Sequence, residues 1–184
     1  DASATAYNPS WDTGDNDGSG FGAWTLNVPG NTSQGGRFIG GSDIGAESWG
    51  LYANSSQLAE ALRPITGVFG TEDTFSIDLD NGGINSGGAV GFGLRNASGE
   101  NVFEFVFEGG SSNYVLNPNT SNFVDTGFGF TASGLNITLT RNNLGTVDVT
   151  ITPLAGSPVT LTNIGLINPS GGQLITELRL FNFN

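Results

Sequence analysis

Val102-Phe103-Glu104-Phe105-Val106-Phe107-Glu108 sets Phe103, Phe105 and Phe107 two residues apart, so in an extended chain all three rings project from one face. The same period returns at Leu135/Ile137/Leu139, Val147/Val149/Ile151 and Val159/Leu161, and each run reads as a half-buried strand. Between the runs lie Asn96-Ala97-Ser98-Gly99-Glu100-Asn101, Gly109-Gly110-Ser111-Ser112-Asn113 and Asn168-Pro169-Ser170-Gly171-Gly172, whose Gly, Asn and Pro suit tight connections. This alternation of short strands and turns predicts an all-β chain, a single-domain antiparallel β-sandwich of jelly-roll or concanavalin-like type over residues 1–184. One short helix is expected at most: Ser56 to Leu62 has a Ser start, Ala and Leu content, and a stop at Pro64.

The composition narrows the chemistry. Among 184 residues there is no His, Cys, Met or Lys, and 17 acidic residues face five arginines for a net charge of -12. A Ser-His-Asp triad, a thiol nucleophile, a Schiff-base lysine and a zinc site of imidazole or thiolate ligands are therefore excluded. Carboxylate, hydroxyl, amide and aromatic groups remain, which suit hard cations, sugars and protein surfaces. The negative charge repels nucleic acid and anionic lipid and attracts multivalent cations. No apolar run approaches the roughly 20 residues of a spanning helix, so membrane insertion is not expected. The chain begins with Asp1, which leads us to expect a processed, secreted or cell-surface protein.

Asp12-Thr13-Gly14-Asp15-Asn16-Asp17-Gly18-Ser19-Gly20-Phe21 is the most specific local motif. Asp15, Asp17 and Ser19 alternate ahead of Gly20 as in the first half of a calcium loop, where hard oxygens converge around a sharp turn. Leu26 stands where an EF-hand would place its closing Glu, so Asp12 or a distant residue must supply that carboxylate. Asp12, Asp15, Asp17, Ser19 and Phe21 are the candidate calcium ligands; a solvated acidic turn is the alternative.

Asp78 and Asp80 form a second acidic site. In a strand they face one side about 7 Å apart, suited to a shared cation or to sugar hydroxyls, or else to an exposed face running into the Asn81-Gly82 turn. Glu104 and Glu108 are about 13 Å apart along a strand, too far for a glycosidase pair, which leaves Glu104 with Asp78 or Asp80 as the pairing to test. Among the aromatic residues, Trp24 and Trp49 lie in strand-like runs and are expected in the core. Trp11 and Tyr114 sit among turn residues and are the candidate carbohydrate contacts. N-x-S/T sequons at Asn31, Asn54, Asn96 and Asn119 are candidate glycosylation sites, and that at Asn136 falls inside an expected strand. The termini, Ala2-Ser3-Ala4-Thr5-Ala6-Tyr7 within residues 1–10 and Leu174 to Phe183, alternate as strands do and can pair within or between subunits.

Gly20-Phe21-Gly22-Ala23-Trp24, Ser48-Trp49-Gly50-Leu51-Tyr52-Ala53-Asn54, Gly91-Phe92-Gly93-Leu94-Arg95-Asn96 with Phe103-Glu104-Phe105, and Leu178-Arg179-Leu180-Phe181-Asn182 together resemble a β-sandwich module of secreted bacterial proteins. That module accompanies PEP-CTERM-type sorting tails and extracellular hydrolases. The resemblance spans most of the chain, rests on structural motifs, and implies a secreted sandwich whose sequence usually continues past the Leu-Phe-Asn segment. Two functions follow as expectations. One is a non-catalytic extracellular structural protein that self-associates through β-edges and terminal strands into a filament or matrix, with calcium as an aid. The other is a carbohydrate-binding module with a structural calcium and polysaccharide as partner.

Overall fold

The computed structural model describes residues 2–67 and 69–184. After a 3-10 turn at Thr5–Tyr7, thirteen strands follow: β1 (Thr25–Asn27), β2 (Gly35–Ser42), β3 (Gly45–Ala53), β4 (Leu58–Pro64), β5 (Thr74–Leu79), β6 (Ala89–Arg95), β7 (Asn101–Glu108), β8 (Asn113–Leu116), β9 (Val124–Gly129), β10 (Leu135–Arg141), β11 (Thr146–Pro153), β12 (Val159–Gly165) and β13 (Glu177–Phe183). They form an antiparallel seven-stranded sheet in the order β1-β4-β13-β6-β7-β8-β9, a four-stranded sheet β12-β11-β10-β5, and a separate hairpin, β2-β3. Among the described residues no helix is long and apolar enough to cross a membrane.

The two larger sheets pack face to face because each has one apolar side. Along β10, Leu135, Ile137 and Leu139 are buried, and they share a core cluster with Phe92, Phe103 and Phe105 of the seven-stranded sheet. Phe75 of β5 reaches Phe92 of β6 at 5.8 Å between ring centroids, which carries the aromatic packing across the layers. The outer side of the four-stranded sheet is polar: Ser76, Thr138, Thr150 and Thr160 lie in register on four adjacent strands.

Two local expectations are corrected, and a third, left open between pairing within and between subunits, is decided. The segment Ser56 to Leu62 contributes to strand β4, not to a helix, pairing with β1 on one side and β13 on the other. Its side chains alternate, with Ala59, Ala61 and Arg63 buried, and the two neighbouring strands override a modest helical preference. At the N-terminus, Asp1 lies outside the described residues, and residues 2–10 are not an extended strand. Burial of Tyr7 against Trp49, ring centroids 5.3 Å apart, accompanies the 3-10 turn there. The C-terminal strand β13 does form, but between β4 and β6 in the middle of its own sheet, with no free edge to offer another molecule.

Candidate functional site

The hairpin β2-β3 does not join the four-stranded sheet. Strand β3 pairs with β2 alone and β5 with β10 alone, so the second edge of each is unpaired among the described residues. Both edges line one cleft of about 1250 Å³, with Glu47, Ser48 and Trp49 of β3 on one wall and Ser76, Ile77 and Asp78 of β5 on the other. Val90 of β6 and Leu178 and Leu180 of β13 also line it, forming an apolar floor from the facing sheet. The hairpin is pinned at its tip, where the Asp43 amide donates to Asp80 Oδ2 at 3.0 Å and Ile44 packs against Gly134. Farther along, Asn182 Nδ2 donates to the Leu51 carbonyl at 3.2 Å. The gap leaves Ile77, Leu79 and Leu180, which pack against the core, only half-buried.

At the end of the cleft near Trp24, aromatic rings collect. Trp11 and Trp24 meet edge to face at 5.0 Å, and Trp24 and Trp49 at 5.3 Å. The indole N–H groups of Trp11, Trp24 and Trp49 and the Tyr7 hydroxyl are buried and have no hydrogen-bond partner among the described residues. Of these four residues Trp24 and Trp49 line the cleft, while Tyr7 and Trp11 pack behind them. Arg63 lies over both Phe21 and Trp24, 5.0 and 4.9 Å from the ring centroids, and donates to the Gly22 and Asp17 carbonyls.

The structure brings Asp78 and Asp80 to the cleft wall but gives each its own partner. Asp78 accepts from Asn136 Nδ2 at 2.8 Å and Asp80 from the Asp43 amide. Trp11 and Tyr114, expected at the surface as sugar platforms, are buried at 1% and 0% exposure. Their neighbours in sequence are turn residues, but both rings are large enough to be drawn into the core. The Tyr114 hydroxyl donates to Asn81 Oδ1 at 2.7 Å, and burial pushes its pKa up to about 12. Among the described residues six aromatic residues line the cleft, Phe21, Trp24, Phe38, Trp49, Phe75 and Phe181; of these Phe38 is 49% exposed, whereas Trp24 is buried at 1%.

In the Asp12–Phe21 loop, arginines take up several oxygens. Asp12 ion-pairs with Arg37 and accepts from Ser10, and these two hydrogen bonds hold its carboxyl below the usual range. Asp15 Oδ2 accepts the Asp12 amide at 2.7 Å, while Arg63 binds Asn16 Oδ1 and the Asp17 carbonyl. No three acidic side chains converge among the described residues. As arranged, Asp12, Asp15, Asp17, Ser19 and Phe21 form an arginine-braced turn and not a preformed cage; a cation there would have to compete with two guanidinium groups.

A second polar cluster covers the outer face of the seven-stranded sheet. Arg179 Nε binds Glu60 Oε2 at 2.8 Å and its other nitrogen reaches Glu104 Oε1 at 3.8 Å, across the side-chain-free Gly93. Burial pushes Glu104 above the usual glutamate range despite Arg179 and Arg95. Glu60 is pushed up by burial as well, but the hydrogen bonds of Arg179 and Asn27 outweigh it and hold it low. Glu104 therefore belongs to a different layer from Asp78 and Asp80, and the cross-strand carboxylate pair posed from sequence does not form. Sequence reading missed this cluster because Glu60 lay in the expected helix. Of the sequons, Asn31, Asn54 and Asn119 are exposed. Asn96 is 2% exposed, its side chain spent on Glu100, the Gly172 carbonyl and the Ser98 amide, so it is not a glycosylation site in the folded chain.

No protein-family model and no curated protein sequence matches the chain. Among solved structures it is similar to a conserved carbohydrate esterase from the Shiga toxin-encoding bacteriophage phi24B, with 13% identity over 87% of this chain and 88% of that chain at a TM-score of 0.44. It is also similar to the carbohydrate recognition domain of Emp47p, with 11% identity over 98% of this chain and 93% of that chain at a TM-score of 0.38. Both likenesses concern the all-β fold and nothing finer.

Proposed function

We propose that the chain is a non-catalytic, extracellular structural module that associates by taking an extended chain into the cleft between β3 and β5. The observation that carries this reading is the pair of unpaired strand edges facing each other over an apolar floor. Exposed edges present rows of free N–H and C=O groups, and folded proteins ordinarily cover, charge or twist such edges. An incoming strand hydrogen-bonds to both walls, covers Ile77, Leu79 and Leu180, and merges the hairpin and the four-stranded sheet into one layer; this is β-augmentation applied from two sides. Light scattering and electron microscopy of the purified chain test it, alongside a Leu180→Asp variant that puts a charge on the floor, each with calcium and with chelator. Concentration-dependent assembly that the variant loses supports the proposal, and loosening on chelation adds calcium to it. A monodisperse monomer throughout refutes it.

Carbohydrate capture in the same cleft is the second reading, favoured by the exposed Phe38 and half-buried Trp49 sharing its lining with Asp78 and Asp80. Binding to a glycan array by a chain that stays monomeric would select it.

A further inference from the structure

We propose that the outer edge of β12 is an interaction surface separate from the cleft, and that its partner is β12 of a second copy of this chain, paired antiparallel about a two-fold axis through Thr160. Strand β12 pairs with β11 alone, so among the described residues its other edge presents unpaired main-chain groups. Folded proteins ordinarily protect such an edge with a charge, a proline or a bulge. Residues 159–161 have none of these. They pair regularly with Ile151, Thr150 and Val149, and the register shift of this hairpin falls beyond Leu161.

Charge selects a second copy as the occupant. Two chains of net charge -12 repel each other, and they meet closely only where that charge is absent. Residues 149–176, which contain β12, form the longest run of the sequence without a charged side chain. The other open edges carry or touch a charge: Arg37 lies on β2, Glu47 on β3, Asp78 on β5 and Asp125 on β9, and Asn27 of the three-residue β1 donates to Glu60 at 3.1 Å. The pattern of β12 also complements itself. Val159 and Leu161 are half-buried and Thr160 is exposed. With Thr160 opposite its own copy, Val159 of one chain faces Leu161 of the other, so apolar and polar faces both stay matched. The hydroxyl row Ser76, Thr138, Thr150, Thr160 then runs on across the axis, and two four-stranded sheets become one of eight strands. The core is open on this side as well: β9 runs beside β12, and its Val124 and Phe128, which pack against the core, are, like Leu161, only half-buried. A second copy at this margin shields them. Because both chains use the same strand, the contact is isologous and stops at a dimer.

Sedimentation velocity of the full chain tests the proposal, together with single-cysteine cross-linking, for which the absence of native cysteine keeps the background clean. Directly opposed residues of an antiparallel pair have Cα atoms about 4.5–5.5 Å apart, within disulfide reach. Thr160→Cys is therefore expected to trap a disulfide-linked dimer under mild oxidation. Thr162→Cys, whose counterpart in this register is Pro158, should cross-link about tenfold less. Thr160→Lys sets two ammonium groups on the axis and should weaken the dimer at least about tenfold. Its circular dichroism spectrum should stay that of wild type, because residue 160 is exposed at the sheet margin. Leu180→Asp, which alters the cleft floor, should still dimerise, so this outcome is read separately from that of the cleft. A folded chain, wild type or Leu180→Asp, that sediments as a monomer at every concentration overturns the proposal. So does a Thr160→Lys chain that dimerises like wild type, or a Thr162→Cys chain that cross-links as well as Thr160→Cys.

Discussion

Arg141 offers a direct test of how the sandwich is held. It is 1% exposed at the end of β10, and burial presses its pKa downward. Its guanidinium donates to the backbone carbonyls of Phe69 at 2.6 Å, Leu144 at 3.1 Å, Gln173 at 2.9 Å and Asn143 at 3.1 Å. One side chain thus ties the loop before β5, the β10–β11 turn and the segment leading to β13. In Arg141→Met the stem volume is kept and four carbonyls lose a charged donor. Each such bond contributes roughly 1.5–3 kcal/mol, or about 6–12 kcal/mol gross. The cost of burying the guanidinium, several kcal/mol, is recovered when it is removed. A net loss of about 3–5 kcal/mol follows, equivalent to a fall in Tm of roughly 6–20 °C for a chain of this size. Arg141→Lys keeps the charge but not the planar fork and should restore less than half. Urea unfolding at neutral pH measures both. A loss below about 1 kcal/mol for Arg141→Met would show that water or loop rearrangement satisfies these carbonyls and that the arginine is not the tie described here.

The outer-face carboxylates should respond to pH with opposite signs. Glu60 sits below its ordinary value of 4.5, so its stabilisation is full above that value and is lost as pH falls through the folded pKa; Glu60→Gln should cost about 1–2 kcal/mol at pH 7 and progressively less in acid. Glu104 sits above 4.5, so its ionisation weakens the folded state as pH rises from there through the folded pKa; Glu104→Gln should be neutral or stabilising at pH 7 in chemical denaturation, with the gain absent in acid. Gly91→Ala places a Cβ against the Phe105 carbonyl in the central strand pair and should cost about 1–3 kcal/mol by the same measurement. Expressed in a glycosylating host, the chain should carry no glycan at Asn96 by peptide mass spectrometry, whereas the exposed Asn31, Asn54 and Asn119 are open to modification.

The layered fold was legible because apolar residues at period two are enough to define strands with one buried face. Phe103, Phe105 and Phe107, and Leu135, Ile137 and Leu139, are buried on β7 and β10 as their spacing requires. Ser56 to Leu62 misled because Ala, Leu and Glu favour a helix in isolation, and only the flanking β1 and β13, one of them over 100 residues away in sequence, make it a strand. Trp11 and Tyr114 misled because turn residues around an aromatic ring say little about which way the ring points. The cleft was not legible at all: it depends on β3 and β5 failing to pair, and pairing between strands distant in sequence leaves no local mark.

Hydrogen exchange read by mass spectrometry across a protein concentration series tests the central claim most directly. Backbone amides of β3 and β5 that point into the cleft should exchange quickly in dilute solution and gain protection as concentration rises, while β10 and β11, paired throughout, stay protected. Unchanged exchange in β3 and β5 up to the solubility limit would contradict it.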